Sequence, residues 1–438
     1  MGCRKLNAFR TFFFFLAASI CGPSVAQQNG AQLPQYDEDT HLGVSSCASS
    51  VCHGRAERSE ESRVWLTEFR IWQGSDPHAT AYSTLLTEQS SRIARNLGIG
   101  PAAEAQVCLN CHADNVSTDH RGERFQLSDG VGCEACHGGS EHWISSHTDS
   151  AVSHTENIQA GMYPTASPQP RAQLCLSCHS GTSKKFASHE LMAGGHPQLL
   201  FENATFALYQ PMHFQIDEDY EARKGEYNAA DLWLNGLVEA AENKLDLAGS
   251  AVSTMSAELP DTALFHCDSC HRLTNIASGG GLPVDQRRPG GSIPINDTAL
   301  ALVSLVSTAL ELPGATALSA ELDKMVLTAS VEPQKLADAA SDVAASLHTV
   351  SGELVRAPLS SAQLSKLRRA LIRFAAEGRA RYFADAFHVF LSVNVLNETL
   401  QDGLISNKDM SLWFESVVSE STFDRAGFAA RASQLSSL

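Results

Sequence analysis

Four copies of one pentapeptide, Cys-x-x-Cys-His, govern what this chain can fold into: Cys108-Leu-Asn-Cys111-His112, Cys133-Glu-Ala-Cys136-His137, Cys175-Leu-Ser-Cys178-His179 and Cys267-Asp-Ser-Cys270-His271. Two thiols that reach the two vinyl groups on one edge of a porphyrin, followed at once by an imidazole beneath the iron, require this spacing. A fifth, stretched copy runs Cys47-Ala-Ser-Ser-Val-Cys52-His53. Its two extra residues can loop out without moving Cys52 relative to His53. The expectation is five covalently attached haem c groups, held by Cys47, Cys52, Cys108, Cys111, Cys133, Cys136, Cys175, Cys178, Cys267 and Cys270, with His53, His112, His137, His179 and His271 as proximal ligands.

Three other readings of the cysteines leave the histidines unexplained. A zinc ribbon fits the pairs at 108/111 and 133/136, and a disulfide framework suits an exported chain with an even cysteine count. A thioredoxin-like redox pair needs one motif in a βαβ setting, not a series of them. Histidine is 17 of 438 residues, so its chance arrival after four separate pairs has a likelihood on the order of one in a million on composition alone.

The N-terminus reads as a secretion signal over residues 1–26: Arg4, Lys5 and Arg10 precede the apolar run Thr11 to Ile20, and Ser24-Val25-Ala26 offers a cleavage site. A lipoprotein reading through Cys21 is weaker, because the bulky Ile20 precedes it. Removing the leader takes away Cys3 and Cys21, leaving ten of the twelve cysteines, two for each of five haems. It also removes three positive charges and no negative one, so the formal charge moves from −17 to −20. Such a chain is expected to avoid nucleic acid and anionic membranes and to meet basic redox partner proteins. No later apolar run reaches the length of a transmembrane helix, so a periplasmic location is expected.

Residues 27–277 are expected to form a mostly α, multihaem domain of short helices and loops, because the stretch from Gly43 to Thr274 is rich in Gly, Ser and His and poor in long periodic segments. Haem discs supply the missing apolar core there. The close spacing of His112 and His137 implies that their haems are neighbours, and neighbouring haems conduct electrons. Residues 278–297, with Ser278-Gly-Gly-Gly-Leu-Pro and Arg287-Arg288-Pro289-Gly290-Gly291, read as a turn-rich linker. Its arginines either pair with haem propionates or are solvated. Residues 298–438 carry no cysteine and repeat apolar residues at helical spacing, as in Leu364, Leu367, Leu371 and Phe374, then Phe383, Phe387 and Phe390. An α-helical bundle is expected there, with His348 and His388 as structural residues, and one helix is expected from Ala229 to Ala257.

Beyond the motifs, the phrases His41-Leu-Gly-Val-Ser-Ser-Cys47, Ser75-Asp-Pro-His78-Ala-Thr-Ala-Tyr82, Asp129-Gly-Val-Gly-Cys133, His189-Glu-Leu-Met-Ala-Gly-Gly-His196-Pro and Phe265-His-Cys267 stand in a definite order. In these the chain resembles the cytochrome c554-type multihaem cytochromes, part of a broader group with the hydroxylamine oxidoreductases and pentahaem nitrite reductases. The likeness runs roughly from Gln35 to Asn296. It implies a mostly α-helical fold, packed haem pairs and bis-histidine ligation of most irons. Family position favours His78, His147, His196 and His213 as distal ligands, with His154 and His189 next; His41, His120, His142 and His266 fall to haem edges or solvent. The pentahaem nitrite reductases bind substrate at a haem whose motif ends in Lys, and no Cys-x-x-Cys-Lys occurs here. The hydroxylamine oxidoreductases carry eight motifs. The favoured function is therefore electron relay, and the alternative is a haem oxidoreductase acting on a small nitrogen or sulfur compound at one haem with an open distal face.

Overall fold

A Cys-x-x-Cys-His run wound as a helix places its two thiols and its imidazole at positions i, i+3 and i+4, on one face, and the architecture follows from four such runs. The computed structural model describes residues 31–59, 62–250, 260–271 and 285–436; the expected leader, most of the expected linker's first half and the end of the helix expected to reach Ala257 lie outside these. Four motifs lie in helices that end on the motif histidine: α1 (Gln106–His112), α2 (Cys133–His137), α3 (Pro168–His179) and α6 (Asp268–His271). Between α3 and α6 come α4 (Asn203–Tyr209) and α5 (Ala229–Ser250). No sheet forms among the described residues beyond isolated bridges.

The stretched first motif is not helical. His53 donates its backbone N–H to Cys47 O (3.1 Å) and Cys52 to Ser49 O (3.0 Å), so the extra residues bulge out while the ends of the motif stay joined. Gly54 closes the bulge: a Cβ there would stand 2.0 Å from Ala48 O, which only glycine avoids. Gly138 does similar service after His137, with φ +83° and Gly161 O 2.8 Å from where a Cβ would be.

The rest of the chain is a helical bundle: α7 (Thr298–Ala309), α8 (Ala315–Val331), α9 (Leu336–Leu354), α10 (Ser361–Ala376), α11 (Phe383–Leu400), α12 (Asn407–Phe414) and α13 (Arg425–Leu435). The periodic Leu364, Leu367, Leu371 and Phe374 are all buried on α10, and Phe383 and Phe390 on α11. Ser360 and Gln363 form a capping box that starts α10. Arg368, 2 % exposed, is held by Asp402 (2.6 and 3.0 Å) and Asn397 (2.9 Å), which ties α10 to the turn after α11.

Helix α5 belongs to both parts. It packs on α3 and α4 on one side and on α7, α9 and α11 on the other, and its buried residues occupy most of its circumference. Trp233, fully buried, donates its indole N–H to Ser392 Oγ on α11 (2.8 Å). One continuous apolar core therefore runs from Ala204 to Leu435. The region before it has only a small apolar cluster around Leu85, Ala94, Ala102, Leu109 and Ala113.

Candidate haem sites

The short helices and turns of the N-terminal region present their histidines to one another in twos. Each of the five motif histidines faces one histidine from elsewhere: His53 with His147 (ring centroids 6.2 Å apart), His112 with His196 (6.4 Å), His137 with His213 (6.2 Å), His179 with His78 (6.0 Å) and His271 with His189 (6.2 Å). Two imidazoles bound on opposite sides of one metal ion, with metal–nitrogen bonds of about 2.0 Å and ring centres about 1.1 Å further out, would stand about 6.2 Å apart. All five gaps match that figure. Among the described residues no three or more His, Cys, Asp or Glu side chains converge as a metal-ion site, so the pattern suits two axial ligands and not a tetrahedral centre. All ten described cysteines are free thiols, as thioether attachment requires.

The ring orientations have causes. His53 Nδ1 hydrogen-bonds to Glu68 Oε2 (2.9 Å) and His78 Nδ1 to Asp76 Oδ1 (2.8 Å). His112 donates Nδ1–H to Ala81 O (3.1 Å), His147 to Trp143 O (3.3 Å) and His196 to Pro197 O (2.8 Å). With Nδ1 engaged, Nε2 is the nitrogen left to meet a metal. Hydrogen bonding to Glu68 raises the His53 pKa, and Asp76 does the same for His78. Burial pushes His137 down to about 3.

Motifs that are not consecutive in the chain lie beside one another. Cys178 Sγ, in the fourth motif, stands 4.0 Å from the Asn110 carbonyl oxygen in the second. Glu134, inside the third motif and 2 % exposed, accepts from Leu42 N (2.8 Å), Gly43 N (2.6 Å), Ser140 N (2.9 Å) and Ser140 Oγ (2.5 Å), which pins the approach to the first motif against α2.

The other histidines have separate roles. His41 is fully buried; although burial opposes its charge, Asp114 (2.8 Å) and Asp37 (3.6 Å) outweigh that and raise it to about 10. His266 is buried and stacks on Tyr382 at 3.8 Å. His142 stands 3.6 Å from Asp39 on the surface, and the carbonyl of His120 accepts from His41 N (2.9 Å). His154 joins no ring pair among the described residues, and its buried Nε2 has no hydrogen-bond partner. His388 lines a small cavity with Phe201 and Trp233, and burial lowers its pKa to about 4.

Several contributors escaped the sequence reading. Asp76 had a local signal, standing two residues before His78 in the Ser-Asp-Pro-His phrase. Glu68 and Lys185 had none. The linker arginines are already engaged: Arg287 binds Asp285 (2.8 Å) and Asp297 (2.6 Å), and Arg288 binds the Tyr382 hydroxyl (3.0 Å) and Ser292. No helix among the described residues is long and apolar enough to cross a membrane.

A family model described as cytochrome c554 and c-prime matches residues 46–138, a span that holds the first three motifs together with His78. No curated protein and no solved structure matches the chain.

Proposed function

We propose, from the likeness of residues 46–138 to the cytochrome c554 family, that this chain is a c-type cytochrome that carries covalent haem c, holds five haems, each with two histidine ligands, and relays electrons between periplasmic redox partners. When bound, haem supplies a one-electron iron couple. The observation that carries the reading is that every motif histidine has its own facing histidine at an iron-sized gap.

The protein's residues do the rest. Cys47 and Cys52, Cys108 and Cys111, Cys133 and Cys136, Cys175 and Cys178, and Cys267 and Cys270 anchor the porphyrin edges. The pairs His53/His147, His112/His196, His137/His213, His179/His78 and His271/His189 would each hold one iron. Glu68, Asp76 and the carbonyls of Ala81, Trp143 and Pro197 hold the rings so that little rearrangement accompanies a change of charge. Glu134, bonded by Leu42 N and Gly43 N, ties the third motif to the approach to the first, and Cys178 Sγ beside Asn110 O ties the fourth to the second. The fifth pair, His271/His189, is borne on α6 and the turn that Asp261 fixes through His189 N (3.0 Å).

The alternative, oxidoreduction of a small nitrogen or sulfur compound, needs an iron with one face open. The pairing leaves no motif histidine without a partner, which favours relay. The test is a covalent haem count by intact mass and pyridine haemochrome, followed by electron paramagnetic resonance and titration with CO and nitrite. Five haems, all low-spin and inert to both ligands, are expected. A high-spin component that binds CO in the purified protein overturns the relay reading in favour of the enzyme.

A further inference from the structure

The edges where the motif pairs meet carry buried charges of opposite sign. The turn after α3 folds Lys185 back over the fourth motif: Gly181 N bonds to Leu176 O (2.9 Å), and Thr182 and Lys185 exchange backbone hydrogen bonds (2.8 and 3.0 Å). Lys185 is 8 % exposed. Its Nζ reaches Gln35 Oε1 (2.6 Å), Asn110 O (3.2 Å) and Cys178 Sγ (3.1 Å). Asn110 lies inside the second motif and Cys178 inside the fourth, so the nitrogen sits between them.

Three acceptors around one nitrogen call for three N–H donors, which only the ammonium form has. Gln35 is oriented for the task, because its Nε2 donates to Asn110 Oδ1 (3.3 Å). The partners are an amide oxygen, a main-chain carbonyl and a sulfur. Once the sulfur is a thioether, none of them neutralises the cation.

At the first and third motifs the sign is reversed. Glu134 receives four donors and offers none, as befits a carboxylate. It follows Cys133 directly in the third motif, and through Leu42 N and Gly43 N it is fastened to the segment that leads into Cys47.

We propose that Lys185 and Glu134 set a potential step inside the protein, the ammonium raising the reduction potentials of the haems at Cys108–His112 and Cys175–His179 and the carboxylate lowering those at Cys47–His53 and Cys133–His137. A cation disfavours the more positive ferric state and so raises the potential; an anion does the reverse, and burial spares both from screening by salt. Electrons entering at the first and third motifs are thereby drawn to the second and fourth. This rests on the reading that all four motifs carry haem.

The test is a spectroelectrochemical redox titration of the purified holoprotein and of Lys185→Gln, Lys185→Arg and Glu134→Gln, with the covalent haem count measured on each sample. With five haems retained, Lys185→Gln is expected to move two of the five components to lower potential, at low and high salt alike. Lys185→Arg, which keeps the charge, is expected to move them far less. Glu134→Gln is expected to move two different components to higher potential. Titrations that superpose on the parent, or a uniform shift of all five components, overturn the proposal. A wild-type count other than five overturns the haem reading instead. Should Lys185→Gln yield no holoprotein, the direction and selectivity of the Glu134→Gln shift decide the matter.

Discussion

Replacing His147 by glycine tests the axial pairing directly. His147 sits on a single turn, Ser146–Thr148, flanked by exposed Ser145 and Thr148, and its ring faces His53 at 6.2 Å while its own Nδ1 holds Trp143 O. Removing the ring takes away one axial ligand of one haem and leaves the attachment residues Cys47, Cys52 and His53 in place. The magnitude follows from the pairing: one of five irons changes, so about a fifth of the low-spin signal should become high-spin. CO binding should rise from none to one per chain. The opening left at the surface is the size of the lost ring, so added imidazole should restore the low-spin spectrum and displace CO. His154→Gly is the control, because His154 faces no motif histidine, and its spectrum should match that of the parent. The assay is electron paramagnetic resonance with CO difference spectra on holoprotein of verified haem content. An unchanged spectrum with no CO binding in His147→Gly would refute the assignment of His147 as the partner of His53.

Glu68→Gln should raise the potential of the haem at His53, because the carboxylate that hydrogen-bonds to His53 Nδ1 at 2.9 Å favours the ferric ion; a redox titration in which no component moves upward would contradict this. Trp233→Ala should destabilise the fold by about 3 to 5 kcal/mol, since the indole is 1 % exposed and bonds Ser392 across α5 and α11; urea unfolding followed by far-ultraviolet dichroism measures it. Asp285, although burial opposes its charge, is lowered by Arg287 to about 2, below its ordinary value. Its stabilising contribution is thus full above pH 4 and lost as pH falls toward 2, so the stability gap between the parent and Asp285→Asn should shrink by about 2 kcal/mol over that window; a gap that stays constant with pH would contradict the ion pair.

The sequence was most legible where covalent chemistry imposes local spacing. On the proposed reading, ten thiols and five imidazoles must sit within a few residues of one another to grip porphyrin edges and irons, so they could be read without any fold. The bundle was legible for a different reason: Leu364, Leu367, Leu371 and Phe374 repeat at the helical period, and all four are buried. The facing histidines were harder, because nothing local links His53 to His147 or His112 to His196. His78, His147, His196 and His213 were expected from family phrases, whereas His189 ranked behind them and yet faces His271 at 6.2 Å. The charges at the motif edges left no trace in the sequence. Lys185 reads as a surface residue in a Ser-Lys-Lys run, and only the turn after α3 brings it to Asn110, 75 residues away.

Helix α5 explains why a haem-binding region with so little apolar core of its own needs the C-terminal bundle. Electron transfer between fixed groups is only as dependable as the distances between them, and the helices that end on motif histidines are short. α3, which ends on His179, packs along α5, and α5 is gripped on its other side by α7, α9 and α11. The fifth motif is tied to the same bundle: His266, immediately before Cys267, stacks on Tyr382, and Phe383 N donates to Asp268 Oδ2 (3.4 Å) inside the motif. Two of the four motif-bearing helices are thus braced against one rigid base. The bundle earns its length as the frame that fixes their positions, whether or not it also meets a partner.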